Sequence, residues 1–122
     1  MQQAVAQAPK PSDVVLVVDD SPPSSHLACM LLRRRGMPSA VARHGLQALR
    51  MGRDLCPRAV LLDFDMPRWK GPDLLPMLRA LPGWQAVPFI AYTSAVDVEG
   101  AALKDRGFSG YIGKPVRQAA FH

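Results

Sequence analysis

Five short apolar runs alternate along the chain with longer stretches in which leucines recur every three or four positions. The runs are VVLVV at 14–18, SAVA at 39–42, AVLL at 59–62, PFIAY at 88–92 and YI at 111–112. Unbroken apolar runs of this length, rich in β-branched residues, suit strands covered on both faces. Between them Leu27, Met30, Leu31 and Leu32 follow helical spacing, bounded by Ser21 as N-cap, Pro22 in the first turn and Gly36 as the stop. Leu46, Leu49 and Leu55 mark a second helix from near Gly45. Leu74, Leu75, Leu78 and Leu81 mark a third after Gly71 and Pro72, and 96–106 reads as a fourth, ended by Gly107. Pro76 falls inside the third helix, where it removes one backbone bond.

Strands alternating with helices of this length predict right-handed crossovers and an α/β fold: a parallel sheet with helices on both faces. In such sheets the residues just past the strands converge on one edge. Here those residues are Asp19 and Asp20 after the first run, Asp63 and Asp65 after the third, Thr93 after the fourth and Lys114 after the fifth.

Composition narrows the picture without changing it. The 122 residues suit one domain, and 48% hydrophobic with 20% charged residues is a globular balance. The longest aliphatic stretch, 14–18, is far short of the roughly 20 residues that span a bilayer, so no membrane association is expected. The opening MQQAVAQAPKPSD has neither a basic start with an apolar block nor a cleavage site, so 1–12 reads as a flexible leader and 13–122 as the domain. Cys29 and Cys56 lie far apart among apolar neighbours and read as buried structural thiols, which with the missing signal places the protein in the cytoplasm. The net charge is +5, but basic and aromatic residues do not interleave and no recognition-helix pattern directs the domain to nucleic acid. Arg33, Arg34 and Arg35 precede Gly36 as cations do at the negative end of a helix dipole. His26, His44 and His122 have no mutual spacing for metal or catalytic work, and Trp84, Phe89, Phe108 and Phe121 read as packing groups.

Only ten residues are acidic, and four of them fall at two neighbouring strand ends. Carboxylates that close resist joint ionisation unless a cation neutralises them. Oxygen donors of this kind suit magnesium, or manganese, with one or two direct carboxylate ligands and several waters. Asp20 and Asp63 are the expected ligands, Asp19 holds a coordinated water, and the Asp65 backbone carbonyl completes the protein's share. With Lys114 and Thr93 opposite, the site complements a trigonal dianionic group, a phosphoryl in transfer, with Asp63 placed to attack phosphorus in line.

VLVVDDS, GLQAL, LLDFDMP with Gly71, PFIAYTS and GYIGKPV, in that order from about Val14 to Val116, resemble a bacterial two-component response-regulator receiver domain. The resemblance implies a doubly wound, flavodoxin-like five-stranded sheet of order 2-1-3-4-5. It implies Asp63 as phosphoacceptor, Asp19 and Asp20 as the acidic pair holding magnesium, Thr93 as switch hydroxyl, Tyr111 as switch aromatic and Lys114 as phosphate-binding lysine. It also implies a cis peptide before Pro115. The donor would be a sensor histidine kinase or a histidine phosphotransfer protein, and the output partner is left open.

Some positions depart from that pattern. Trp69 and Lys70 set an aromatic and a cation before Gly71, for partner contact or for packing on the third helix. Asp65 stands where the family tunes phosphoryl lifetime, and either orients water or faces solvent. Seven residues follow Pro115, so the fifth helix looks truncated, through a cut in a longer protein or completion by exchange in a homodimer. Two rival readings use the same residues. AVLLDFD also resembles the first motif of haloacid-dehalogenase-type phosphatases, although Asp19 and Asp20 precede the nucleophile here, and a degenerate receiver would serve as a binding module alone.

Overall fold

The structure is a computed structural model and describes residues 10–63, 71–93, 104–105 and 107–113, with residues 71–73 and 93 described in backbone only. The five strands are β1 (Val15–Val18), β2 (Ser39–Ala42), β3 (Ala59–Asp63), β4 (Phe89–Thr93) and β5 (Gly110–Gly113). They form one sheet in the order β2-β1-β3-β4-β5, every pair parallel. The helices are α1 (Pro22–Arg34), α2 (Gly45–Gly52) and α3 (Gly71–Arg79). This is the doubly wound flavodoxin-like fold, with helices on both faces.

Strand alternation divides the core into two layers. Val15, Val17, Leu61 and Tyr92 pack against Ala28, Leu31 and Leu32 of α1. Leu16, Val18, Val60, Leu62, Phe89 and Ala91 meet Ala48 of α2 and Leu74, Leu75 and Leu78 of α3. β1 is buried at all four positions, which explains why its sequence shows no polar alternation.

Several sequence expectations shift in register or in cause. Ser21 occupies the N-cap of α1, but its side chain makes no capping bond. Pro22 and Pro23 take the first two helical positions and have no N–H to offer. The Asp19 carboxylate instead accepts the Ser21 N–H at 2.9 Å. Leu46 and Met30, which helped mark their helices by spacing, are 47% and 40% exposed. The buried face of α2 is Gly45, Ala48 and Gly52. A Cβ at Gly52 would collide with Leu81 and approach Trp84 to 2.9 Å, so a glycine here lets the end of α2 lie close against the segment between α3 and β4. Leu55 and Leu81 lie beyond their helices yet pack on the same core. Cys56 is buried, whereas Cys29 is only half-buried. Pro11 and Ser12, placed in the leader by sequence, are tied in: Pro11 bridges Cys56 and the Ser12 N–H donates to its carbonyl at 3.0 Å.

Gly36 stands at φ 72 just past α1 and Gly107 at φ 97, both serving as the expected stops because such backbone favours a residue without Cβ. Of the expected fourth helix, Lys104 and Asp105 are helical and the Gly107 N–H donates to the Lys104 carbonyl at 3.0 Å. The rest of that helix, the expected fifth helix, Asp65, Trp69, Lys70, Lys114, Pro115, Val116, Phe121 and His122 lie outside the described residues.

Candidate functional site

Three strands deliver the candidate chemistry to the carboxyl edge of the sheet. β1 and β3 run side by side with Val18 opposite Leu62, so Asp19 and Asp63 leave the sheet as neighbours. Asp63 is the last residue of β3 rather than the first of the loop, and strand hydrogen bonding holds its backbone. Asp19 is anchored by its own N–H, which donates to the Ala42 carbonyl at 2.9 Å. Its carboxylate is 0% exposed and that of Asp63 only 2%, whereas Asp20 is exposed.

One carboxylate oxygen from each of Asp19, Asp20 and Asp63 lies within 4.8 Å of the other two. At that separation and an effective dielectric near 20, two ionised carboxylates repel by roughly 3 kcal/mol. Two buried acids and one open to solvent make an all-oxygen, strongly anionic donor set with room for water on one side. That set fits a hard divalent cation and does not fit a soft one. The acid pair and Asp63, brought together from sequence positions over 40 apart, are therefore assembled as the sequence predicted.

The other predicted residues are placed only in part. Thr93 ends β4 in register with Gly113 of β5, so its backbone is on the same edge as Asp63, whose strand partner is the adjacent Tyr92. Lys114 follows Gly113 directly in the chain. Tyr111, the expected switch aromatic, is described and is 51% exposed. Its β5 neighbour Ile112 packs toward the α1 layer.

Two supports beside the site escaped the sequence reading. Arg43, just past β2, donates through its guanidinium to the Ser25 hydroxyl of α1 at 2.7 Å, and Ser25 is fully buried. The Tyr92 hydroxyl joins Ser24, accepting from its hydroxyl at 3.1 Å and donating to its carbonyl at 3.3 Å. Both pin the first turn of α1, the helix that begins two residues after Asp20, to the sheet. An isolated Arg and Tyr at strand ends carry no sequence signal for such bonds.

Sheet order and an acidic cluster at the carboxyl edge define the class: a doubly wound α/β domain that gathers three carboxylates at the ends of two adjacent strands. The model of the response regulator receiver domain matches residues 15–122, and the chain belongs to that family. It is 38% identical over 103 residues to the DNA-binding response regulator MtrA of Mycolicibacterium smegmatis, a stretch covering 84% of this chain and 44% of that protein. The chain thus spans less than half the length of that relative. Among solved structures, the chemotaxis protein CheY4 of Vibrio cholerae superposes with a TM-score of 0.81 at 23% identity, covering 88% of this chain and 91% of that one, and shares the fold. The receiver domain of the sensor histidine kinase PA1611 from Pseudomonas aeruginosa, solved with a magnesium ion coordinated in its active-site cleft, gives 0.77 at 26% identity over 88% of this chain and 89% of that one. Family membership removes the haloacid-dehalogenase reading. Among the described residues no helix is long and apolar enough to cross a membrane.

Proposed function

We propose that this receiver domain is a phosphoacceptor in two-component signal transduction, taking a phosphoryl group from a phosphohistidine onto Asp63. The observation that carries the reading is the convergence of Asp19, Asp20 and Asp63 to within 4.8 Å at the end of the strand that also presents the nucleophile. Magnesium, or manganese, would be held by Asp19, Asp20 and Asp63 with the Asp65 backbone carbonyl, and when bound it supplies charge neutralisation for the phosphoryl oxygens.

The chain's own residues do the rest. One Asp63 carboxylate oxygen attacks phosphorus as the phosphorus–nitrogen bond of the donor breaks, and the departing imidazole leaves with the bonding pair and takes a proton from water. The burial of Asp63 keeps competing water from the acyl phosphate, and the Asp19 bond to the Ser21 N–H holds the acid pair in place. Lys114 and Thr93 bind the remaining phosphoryl oxygens in this reading. Attraction of Thr93 to the phosphoryl group favours an inward Tyr111 ring over the exposed one, a population shift rather than a new fold. The donor is a sensor histidine kinase or a histidine phosphotransfer protein. The domain catalyses its own phosphorylation and slow dephosphorylation, without turnover of an external substrate. The name of the MtrA relative gives DNA binding to that longer protein, of which the matched stretch covers 44%.

The test is incubation with magnesium and acetyl phosphate followed by intact mass. A single adduct that persists for minutes, absent in Asp63→Ala and absent in chelator, supports the reading. Failure of the folded wild-type protein to form any adduct, from acetyl phosphate or from a phosphorylated histidine donor, would make it a binding module instead.

A further inference from the structure

The fold brings to one edge of the sheet cations that looked dispersed in the sequence. The segments leading into β1, β2 and β3 meet at the amino-terminal edge of the sheet, opposite the aspartate cleft. The Val15 N–H donates to the Pro38 carbonyl at 2.9 Å, the Arg58 N–H to the Val14 carbonyl at 2.8 Å, and the Ser12 N–H to the Cys56 carbonyl at 3.0 Å. α1 and α2 both end at this edge, with Arg33 and Arg34 in the last turn of one and Arg50 in the last turn of the other. Lys10, Arg33, Arg34, Arg50, Arg53 and Arg58 are all exposed there, and the acids on the same segments are Asp13 and Asp54. Among the described residues the carboxyl edge carries Asp19, Asp20 and Asp63 with Arg43, and the amino-terminal edge an excess of cations.

Helix dipoles account for part of this. Each helix C-terminus carries about half a negative elementary charge, so the ends of α1 and α2 together offset roughly one cation, and an excess of about three remains after both acids are counted. An apolar recess lined by Met30, Met37 and Pro38 opens beside Arg33 on the α1 side of this edge. The large exposed apolar side chains among the described residues are Met30, Leu46, Met77 and Tyr111, and none lies on the segments 10–14, 33–38 or 50–58 that build it. A membrane would find no large apolar wedge on those segments, and because Lys10, Arg34, Arg50, Arg53 and Arg58 do not line the recess, a protein anchored in it would leave most of the cations unused. A phosphodiester backbone needs neither: it is held by exposed, spaced cations, and guanidinium groups match phosphate oxygens two at a time.

We infer that the arginine-rich amino-terminal face, built by the ends of α1 and α2 with Lys10 and Arg58, binds the phosphodiester backbone of double-stranded nucleic acid without reading its sequence. This reverses the sequence-based expectation of a merely solvated basic surface, because adjacency of segments 10–14, 33–38 and 50–58 exists only in the fold. It stands independently of phosphoryl transfer at Asp63.

The experiment is fluorescence anisotropy of a short random-sequence DNA duplex titrated with the unphosphorylated chain. Neutralising about three phosphates predicts that Kd weakens by roughly 40-fold between about 50 and 200 mM monovalent salt. The variant R33E/R34E/R53E/R58E loses binding at the lower salt, and D13N/D54N binds more tightly than wild type. Absence of wild-type binding at the lower salt overturns the inference, as does wild-type affinity in the charge-reversed variant. Equal affinity for polyglutamate or for anionic lipid vesicles also overturns it. Should the fourfold variant fail to fold by circular dichroism, the asparagine pair decides alone: unchanged affinity there refutes the proposal.

Discussion

Tyr92 lies directly opposite Asp63 in the register of β3 and β4, and its hydroxyl is bonded to both the hydroxyl and the carbonyl of Ser24 on α1. The strand next to the candidate nucleophile is therefore tied to the helix that follows the acid pair. Tyr92→Phe removes these bonds while keeping the ring, which is 1% exposed. The expected loss is about 1 kcal/mol of stability, read from urea unfolding, with divalent-metal affinity unchanged.

Crowded carboxylates make the cation-free protein less stable than it would be with one charge fewer. Asp63→Asn should raise stability in chelator by about 1–3 kcal/mol, since the side chain keeps its shape and loses its repulsion from Asp19 and Asp20. Wild type should gain about 2.7 kcal/mol when magnesium reaches a hundred times its Kd, and Asp63→Asn should lose most of that gain. Urea unfolding of both proteins in chelator and in magnesium checks the two signs together.

The α2 N-terminus is capped by an imidazole: His44 Nδ1 accepts the Gln47 N–H at 3.1 Å, and the Gln47 side chain in turn accepts the Arg43 N–H at 2.6 Å. The arrangement differs from a capping box in one bond: Gln47 accepts from Arg43, the residue before the N-cap, rather than from His44 itself. His44→Ala should cost about 1 kcal/mol, and His44→Asn should restore most of it, because Asn is among the preferred caps. Thermal unfolding of the three proteins at neutral pH distinguishes a capping role from a merely exposed histidine, which would leave all three alike.

Arg79 binds four groups at once. Its guanidinium donates to the Gln85, Val87 and Gly107 carbonyls at 2.8, 3.1 and 3.2 Å and lies 4.7 Å from the Phe89 ring centroid. It joins the end of α3, the loop into β4 and the segment before β5. Arg79→Lys keeps the charge but cannot reproduce a planar fork across three acceptors. A loss of about 2 kcal/mol is expected in urea unfolding, with little recovered relative to Arg79→Ala.

These contacts show where sequence reasoning succeeds and why it stops. The strands at Val15–Val18 and Ala59–Asp63 were legible because burial on both faces forces unbroken apolar runs, and the acids were legible because they end those runs abruptly. The pairing of Val18 with Leu62 then brings Asp19 beside Asp63, a consequence of sheet order rather than of anything local. Ser21 takes the N-cap position but makes no cap bond: Pro23 removes one of the two N–H groups a cap can accept, and the other, that of Ser24, is not taken up by its hydroxyl. Leu46 marked the helix but not its buried face, because α2 packs through Gly45, Ala48 and Gly52, where closeness to Leu81 and Trp84 matters more than hydrophobicity. His44 and Arg79 were invisible: one depends on the backbone turn before Gln47, the other on carbonyls six to 28 residues away.

The chain has two tryptophans, Trp69 and Trp84. Trp84 is completely enclosed, its Nε1–H donating to the Leu55 carbonyl at 3.0 Å and its ring 6.1 Å from that of Phe89. A sealed indole cannot be reached by aqueous quenchers such as iodide until the protein unfolds. Iodide quenching seen in the folded protein would therefore not arise from Trp84, and a loss of its protection would report unfolding of the core between α2 and β4.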